Sequence, residues 1–142
     1  MLEILKHAHS GFRWIVLILL ITTIVTAFSK KKAGNTMKSE DKKLPLFTLI
    51  ATHIQLILGI ILYFISPYVV FAADTMKDSL KRFYTVEHIL LMLIAITLIT
   101  IGYSKGKKAA SWKTIFNYYL IGLILILLSI PWPFRGLSAG WF

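Results

Sequence analysis

The residues from Arg82 to Lys108 read RFYTVEHILLMLIAITLITIGYSKGKK, an apolar run that leaves the chain few folding options. From Phe83 to Tyr103 a helix extends about 30 Å, enough to cross the hydrocarbon of a bilayer. Glu87 and His88 fall within its first two turns. An ionisable side chain is expensive in lipid and usually faces a bundle interior, a partner or a cofactor. Both residues are therefore functional candidates before any other part of the chain is considered.

Three further apolar stretches accompany this one, and the pattern predicts helices over about residues 5–28, 44–66, 80–103 and 113–130. The chain has 142 residues, 57% hydrophobic and 15% charged, with a mean hydropathy of +0.74. That is well to the apolar side of a soluble domain. Residues 1–142 are read as a single all-α transmembrane domain, an antiparallel up-down-up-down four-helix bundle. The first run is too long for a signal peptide and lacks a small-residue cleavage site before Lys30, so it is read as a retained helix. In the second, Thr48, Thr52, Gln55 and Gly59 form a stripe of small and polar residues suited to helix contact, with His53 about 160° away.

The net charge of +10 is distributed in a way that argues against nucleic acid. Ten of the sixteen Lys and Arg residues lie in two connections: Lys30, Lys31, Lys32, Lys38, Lys42 and Lys43 in the first, and Lys105, Lys107, Lys108 and Lys113 in the third. No aromatic residues are interleaved as a base-stacking surface requires, so these clusters are read as orientation signals and contacts to anionic lipid headgroups. Basic connections face the cytoplasm, which puts the N-terminus, the second connection and the C-terminus on the extracytoplasmic side of the membrane. The chain contains no cysteine, which removes disulfides, thiolate metal sites and covalent haem attachment. There is no nucleophile elbow, P-loop or Rossmann unit.

Any cofactor must then be held by His, Met, Tyr, carboxylates or packing. Two imidazoles on different helices are the simplest protein ligands for a b-type haem, one on each axial position. His88 is the first such ligand, with His53 or His9 as the second; His53 and His88 differ in depth by roughly 5–8 Å at 1.5 Å per residue. His9 matches His88 better if the first helix begins near Leu2, and helices 1 and 3 are diagonal in a sequential bundle. A metal site shared by His9, His53 and His88 is the other constellation, with the mid-membrane position of His53 against it. Arg13, Arg82 and Arg135 gather near the outer ends, placed to pair with haem propionates, and Glu87 is read as an ion-pair partner of Arg13 or Arg82, or as a proton site.

HSGFRW (His9–Trp14), THIQLILG (Thr52–Gly59), RFYTVEHILLML (Arg82–Leu93), ITIGYSKGKK (Ile99–Lys108) and IPWPFR (Ile130–Arg135) cover much of the chain. In their order and spacing they resemble a family of small four-helix bacterial membrane proteins, common in the Bacteroidetes, that is catalogued as cytochrome b-like. The resemblance implies functional roles for His9, Arg13, His53, Glu87, His88 and Arg135. The expected function is one-electron transfer through haem b, within a homo-oligomer or with other membrane subunits, and with a quinone contact at His9 if that residue does not ligate iron. The alternative is a structural or assembly subunit whose histidines serve helix packing or metal binding.

Overall fold

Helix α1 spans Leu2–Lys32, α2 spans Lys43–Ile65, α3 spans Ser79–Ala109 and α4 spans Trp112–Ser129 in the computed structural model, which describes residues 1–142 and contains no strand. All four are long and apolar enough to cross a membrane, so the chain is a multi-pass helical membrane protein.

Two helices outrun their expected limits, and the reason is local. α1 passes Phe28 by more than a turn and ends in a Schellman motif: Asn35 N–H donates to Lys30 O, Gly34 N–H donates to Lys31 O, and Gly34 takes the left-handed conformation at φ +75°. Lys30, Lys31 and Lys32 occupy its last turn, where cations complement the partial negative charge of the free carbonyls. α3 passes Tyr103 and carries its lysines as far as Ala109. Gly102 and Gly106 are packing positions within this helix. A Cβ on Gly102 would run into Tyr118 Cβ, and one on Gly106 would stand 2.6 Å from Ile115 Cδ1. This small-xxx-small pair brings α4 close to α3.

Helix α1 packs on α2 and α4, and α3 packs on the same two helices, so α1 and α3 look across the bundle at each other. The half nearest the lysine-rich connections is filled. Leu20, Ile24, Ile99, Ile115 and Tyr119 form its core, and the Tyr119 hydroxyl donates to the Pro45 carbonyl. Thr23 and Thr48 join α1 to α2 with hydroxyl oxygens 2.7 Å apart. The two lysine-rich connections meet where Met37 N–H donates to Ala110 O.

The other half is closed by chain rather than by core. The second connection folds over the bundle end: Tyr68 stacks on Tyr84, and Thr75 and Thr85 hydroxyls both donate to Val70 O. Early in α3 a π turn runs over Phe83–Glu87. Residues five apart sit about 140° apart on an α-helix, whereas a π turn brings them onto one face. Arg82 and Glu87 accordingly form an ion pair at 3.2 Å, and Phe83 and His88 bring their rings to 5.5 Å.

Candidate functional site

Between the four helices, at the end where α1 begins and α4 stops, lies a cleft of about 610 Å³. It falls within the range of small-molecule and cofactor sites, about 300–1,000 Å³. His9, Ser10 and Arg13 enter it from α1, Gln55 and Gly59 from α2, and Tyr84, His88 and Met92 from α3. The second connection and the C-terminal residues Ser138–Gly140 and Phe142 complete the wall.

His88 is fixed by the way α4 ends. The last carbonyls of a helix have no partner in the helix itself. In α4 this is compounded by sequence, because the residues four beyond Leu127 and Ser129 are Pro131 and Pro133, neither of which has an N–H. Trp132 Nε1 donates to Leu127 O at 3.0 Å, and His88 Nδ1 stands 2.8 Å from Ser129 O. A carbonyl can only accept, so Nδ1 carries the proton and Nε2 of His88 is left as the free lone pair. This is the state a metal-ligating histidine adopts when a second group orients it.

His9 is seated by Gly59. A Cβ at position 59 would come within 3.1 Å of His9 Cε1, so the imidazole lies against bare backbone of α2. Gln55, one turn away, donates from Nε2 to His9 O at 2.8 Å. The rings of His9 and His88 are 6.2 Å apart between centres, with their planes at 84°. Metal–imidazole bonds of about 2 Å on opposite sides of one ion put the two ring centres roughly 6 Å apart, so the pair fits the axial spacing of a haem.

Arg13 is the cation of the site. Its side chain is 7% exposed and has no carboxylate partner; Nη2 donates to Trp141 O at 2.6 Å, and the guanidinium lies 5.4 Å from the Trp14 ring and 5.6 Å from the Trp132 ring. Trp14 Nε1 donates to the same Trp141 carbonyl at 2.8 Å, which ties the C-terminal residues to α1. Aromatic faces and a carbonyl offset part of the cost of burying this charge.

The remaining candidates lie elsewhere. His53 bonds back to Leu49 O at 2.8 Å on its own helix and does not line the cleft. No group of three or more His, Asp or Glu side chains converges to hold an ion, so the three-histidine constellation does not form. Arg82 is engaged by Glu87 and by Met76 O. Arg135 donates to Leu128 O and Ile130 O, capping α4, and lies 5.0 Å from the Phe83 ring. His7 is exposed at the cleft rim.

Several contributors escaped the sequence reading. Gln55 and Gly59 are legible there only as a packing stripe. The usable signal was the spacing of Pro131 and Pro133 from Leu127 and Ser129, which marks two carbonyls in need of side-chain donors. No family model, curated protein or solved structure matches the chain, which stands on its own architecture as a four-helix, largely apolar membrane bundle.

Proposed function

We propose that this protein binds b-type haem in the cleft between His9 and His88 and serves one-electron transfer in a bacterial inner membrane. One observation carries the reading: two imidazoles on facing helices, 6.2 Å apart, in a cleft of cofactor size. Haem held by His9 and His88 would supply a one-electron Fe(III)/Fe(II) couple. The protein's own part is positional. His88 presents Nε2 because Ser129 O holds its Nδ1 proton, Gly59 makes room for His9, and Arg13 offers a buried cation to a carboxylate such as a propionate. The C-terminal residues and the second connection form part of the cleft wall.

The bundle is antiparallel and up-down-up-down, with both termini and the cleft extracytoplasmic and the lysine-rich connections cytoplasmic. It works as a homo-oligomer or beside other membrane subunits, with a quinone as a suitable lipid-soluble exchange partner. In this reading the chain is a cytochrome b-like protein.

Reduced-minus-oxidised spectra of protein purified without added haem test the reading. A b-type spectrum that is lost in His88→Ala and His9→Ala and kept in His53→Ala is expected. A folded, haem-replete preparation without a Soret band defeats it and leaves the histidines a packing role.

A further inference from the structure

The wall of the cleft changes character at one place. α4 packs on both α1 and α3, and the approach of His88 Nδ1 to Ser129 O puts the last turn of α4 level with His88. Beyond α4 the segment Gly136–Phe142 crosses from α3 to α1, and Ser138, Ala139, Gly140 and Phe142 line the cleft on the way. At the α3 side the Tyr84 hydroxyl donates to Leu137 O at 2.6 Å. At the α1 side Arg13 Nη2 and Trp14 Nε1 donate to Trp141 O at 2.6 and 2.8 Å. Tyr84 precedes His88 by four residues and Arg13 follows His9 by four, so the crossing is tied about one turn from each imidazole.

Those three donors are all side chains, and residues 136–142 make no backbone-to-backbone hydrogen bond. Leu137 is the one buried side chain of the segment, while Trp141 and Phe142 are exposed. Gly136 and Ser138 both take the left-handed conformation, at φ +67° and +58°, which marks two points where the chain changes direction. The second connection, the other piece of non-helical wall, is knit to itself. Thr75 N–H donates to Ala72 O, Asp78 N–H to Thr75 O, and the Thr75 hydroxyl to Val70 O. Few buried contacts and the lack of a backbone ladder put a segment at the low end of local stability.

We propose that Gly136–Phe142 is a gate over the cleft: it opens by releasing Trp141 O and Leu137 O and swinging about Gly136, and ligands enter there while the four helices and the second connection stay in place. The gate stands apart from the haem reading, because it serves whatever the cleft takes. The latches are unequal. Arg13 and Trp14 share one acceptor, so losing either leaves Trp141 O still held, whereas losing the Tyr84 hydroxyl frees Leu137 O altogether.

The test uses the full chain in phosphatidylcholine nanodiscs, with no added cofactor. Met92→Cys puts a single thiol on the cleft wall of a chain that has no cysteine, and Lys77→Cys puts one on the exposed second connection. Both are modified with methyl methanethiosulfonate, a small neutral reagent. The cleft thiol is expected to react more slowly than the exposed one. Adding Tyr84→Phe should speed it roughly 2–10-fold, the effect of one lost hydrogen bond on the opening equilibrium. Trp14→Phe should speed it less, and Thr75→Val, which loosens the second connection, should leave it unchanged. A cleft thiol as fast as the exposed one overturns the proposal, as does a rate raised by Thr75→Val and unmoved by Tyr84→Phe. Should the variants not fold, a spin label on Ser138→Cys decides in a chain with all three latches intact. A mobile population that grows on warming supports the gate, and a single immobile population overturns it.

Discussion

His88 Nδ1 lies 2.8 Å from the carbonyl oxygen of Ser129, and that carbonyl is free because the residue four positions on is Pro133. The start of α3 is thus bonded to the end of α4 through a group that an uninterrupted helix would have used for itself. Replacing both prolines, Pro131→Ala with Pro133→Ala, supplies N–H groups that let α4 continue and reclaim Ser129 O. The expected outcome is a small gain in helical circular dichroism together with a roughly 10–100-fold loss of haem affinity as His88 loses its orienting partner. A gain in helix with affinity intact would show that Ser129 O is not what fixes His88.

The Thr23–Thr48 contact couples α1 to α2 away from the cleft. Thr48 Oγ1 lies 2.9 Å from Leu44 O and donates to it, so it receives the proton of Thr23 at 2.7 Å. Thr48→Val leaves a buried hydroxyl on Thr23, and each single Val variant should cost about 1–2 kcal/mol. The double variant should cost less than the two singles together, with a coupling of about 0.5–1.5 kcal/mol, near what interhelical hydrogen bonds in membranes give. Denaturant unfolding in detergent micelles measures the cycle, and strict additivity would dismiss the coupling.

The α3–α4 hairpin contains a removable strain. Ala110 sits at φ +52° in the left-handed region, where Ser111 N–H donates to Gly106 O and Ala110 N–H donates to Lys107 O. This is a Schellman ending with alanine in the glycine position. Ala110→Gly should therefore stabilise the protein by about 1 kcal/mol, the left-handed cost of a Cβ less the extra chain entropy of glycine. A raised midpoint of thermal unfolding checks it; an unchanged or lowered midpoint would mean the turn already accommodates the Cβ.

Orientation is accessible to labelling because the chain has no cysteine of its own. Single cysteines at Lys38 and Lys107 should be protected from a membrane-impermeant thiol reagent in intact cells and react after permeabilisation. A cysteine at Asp78 should react without it. The reverse pattern would place the cleft on the cytoplasmic side.

The sequence by itself determined the helices, because a run of apolar residues long enough to cross a bilayer has to satisfy its backbone internally and a helix does so with neighbours only. It also determined that His9, His88 and Arg13 needed company, since each is an ionisable group in an apolar run. The helix ends were less legible. Lys30–Lys32 and Lys105–Lys108 looked like departures from helix, but their long stems allow the charge to reach water while the backbone stays helical. The π turn at Phe83–Glu87 was invisible, because no composition marks it; Arg82 was one of two partners expected for Glu87, and the turn is what brings residues five apart onto one face.

What only the tertiary structure decided was which histidines meet. Periodicity places a residue on a face of its own helix but says nothing of how far that helix is rotated and shifted against the others. His53 and His9 were equal partners for His88 until packing turned His53 back to Leu49 O and seated His9 on Gly59 opposite His88. The rotation is set by contacts remote from the cleft: Gly102 against Tyr118, Gly122 against Ile99 and Thr23 against Thr48. A glycine fixes a helix's rotation only where a particular side chain fills the space it leaves, and that side chain comes from a distant part of the chain.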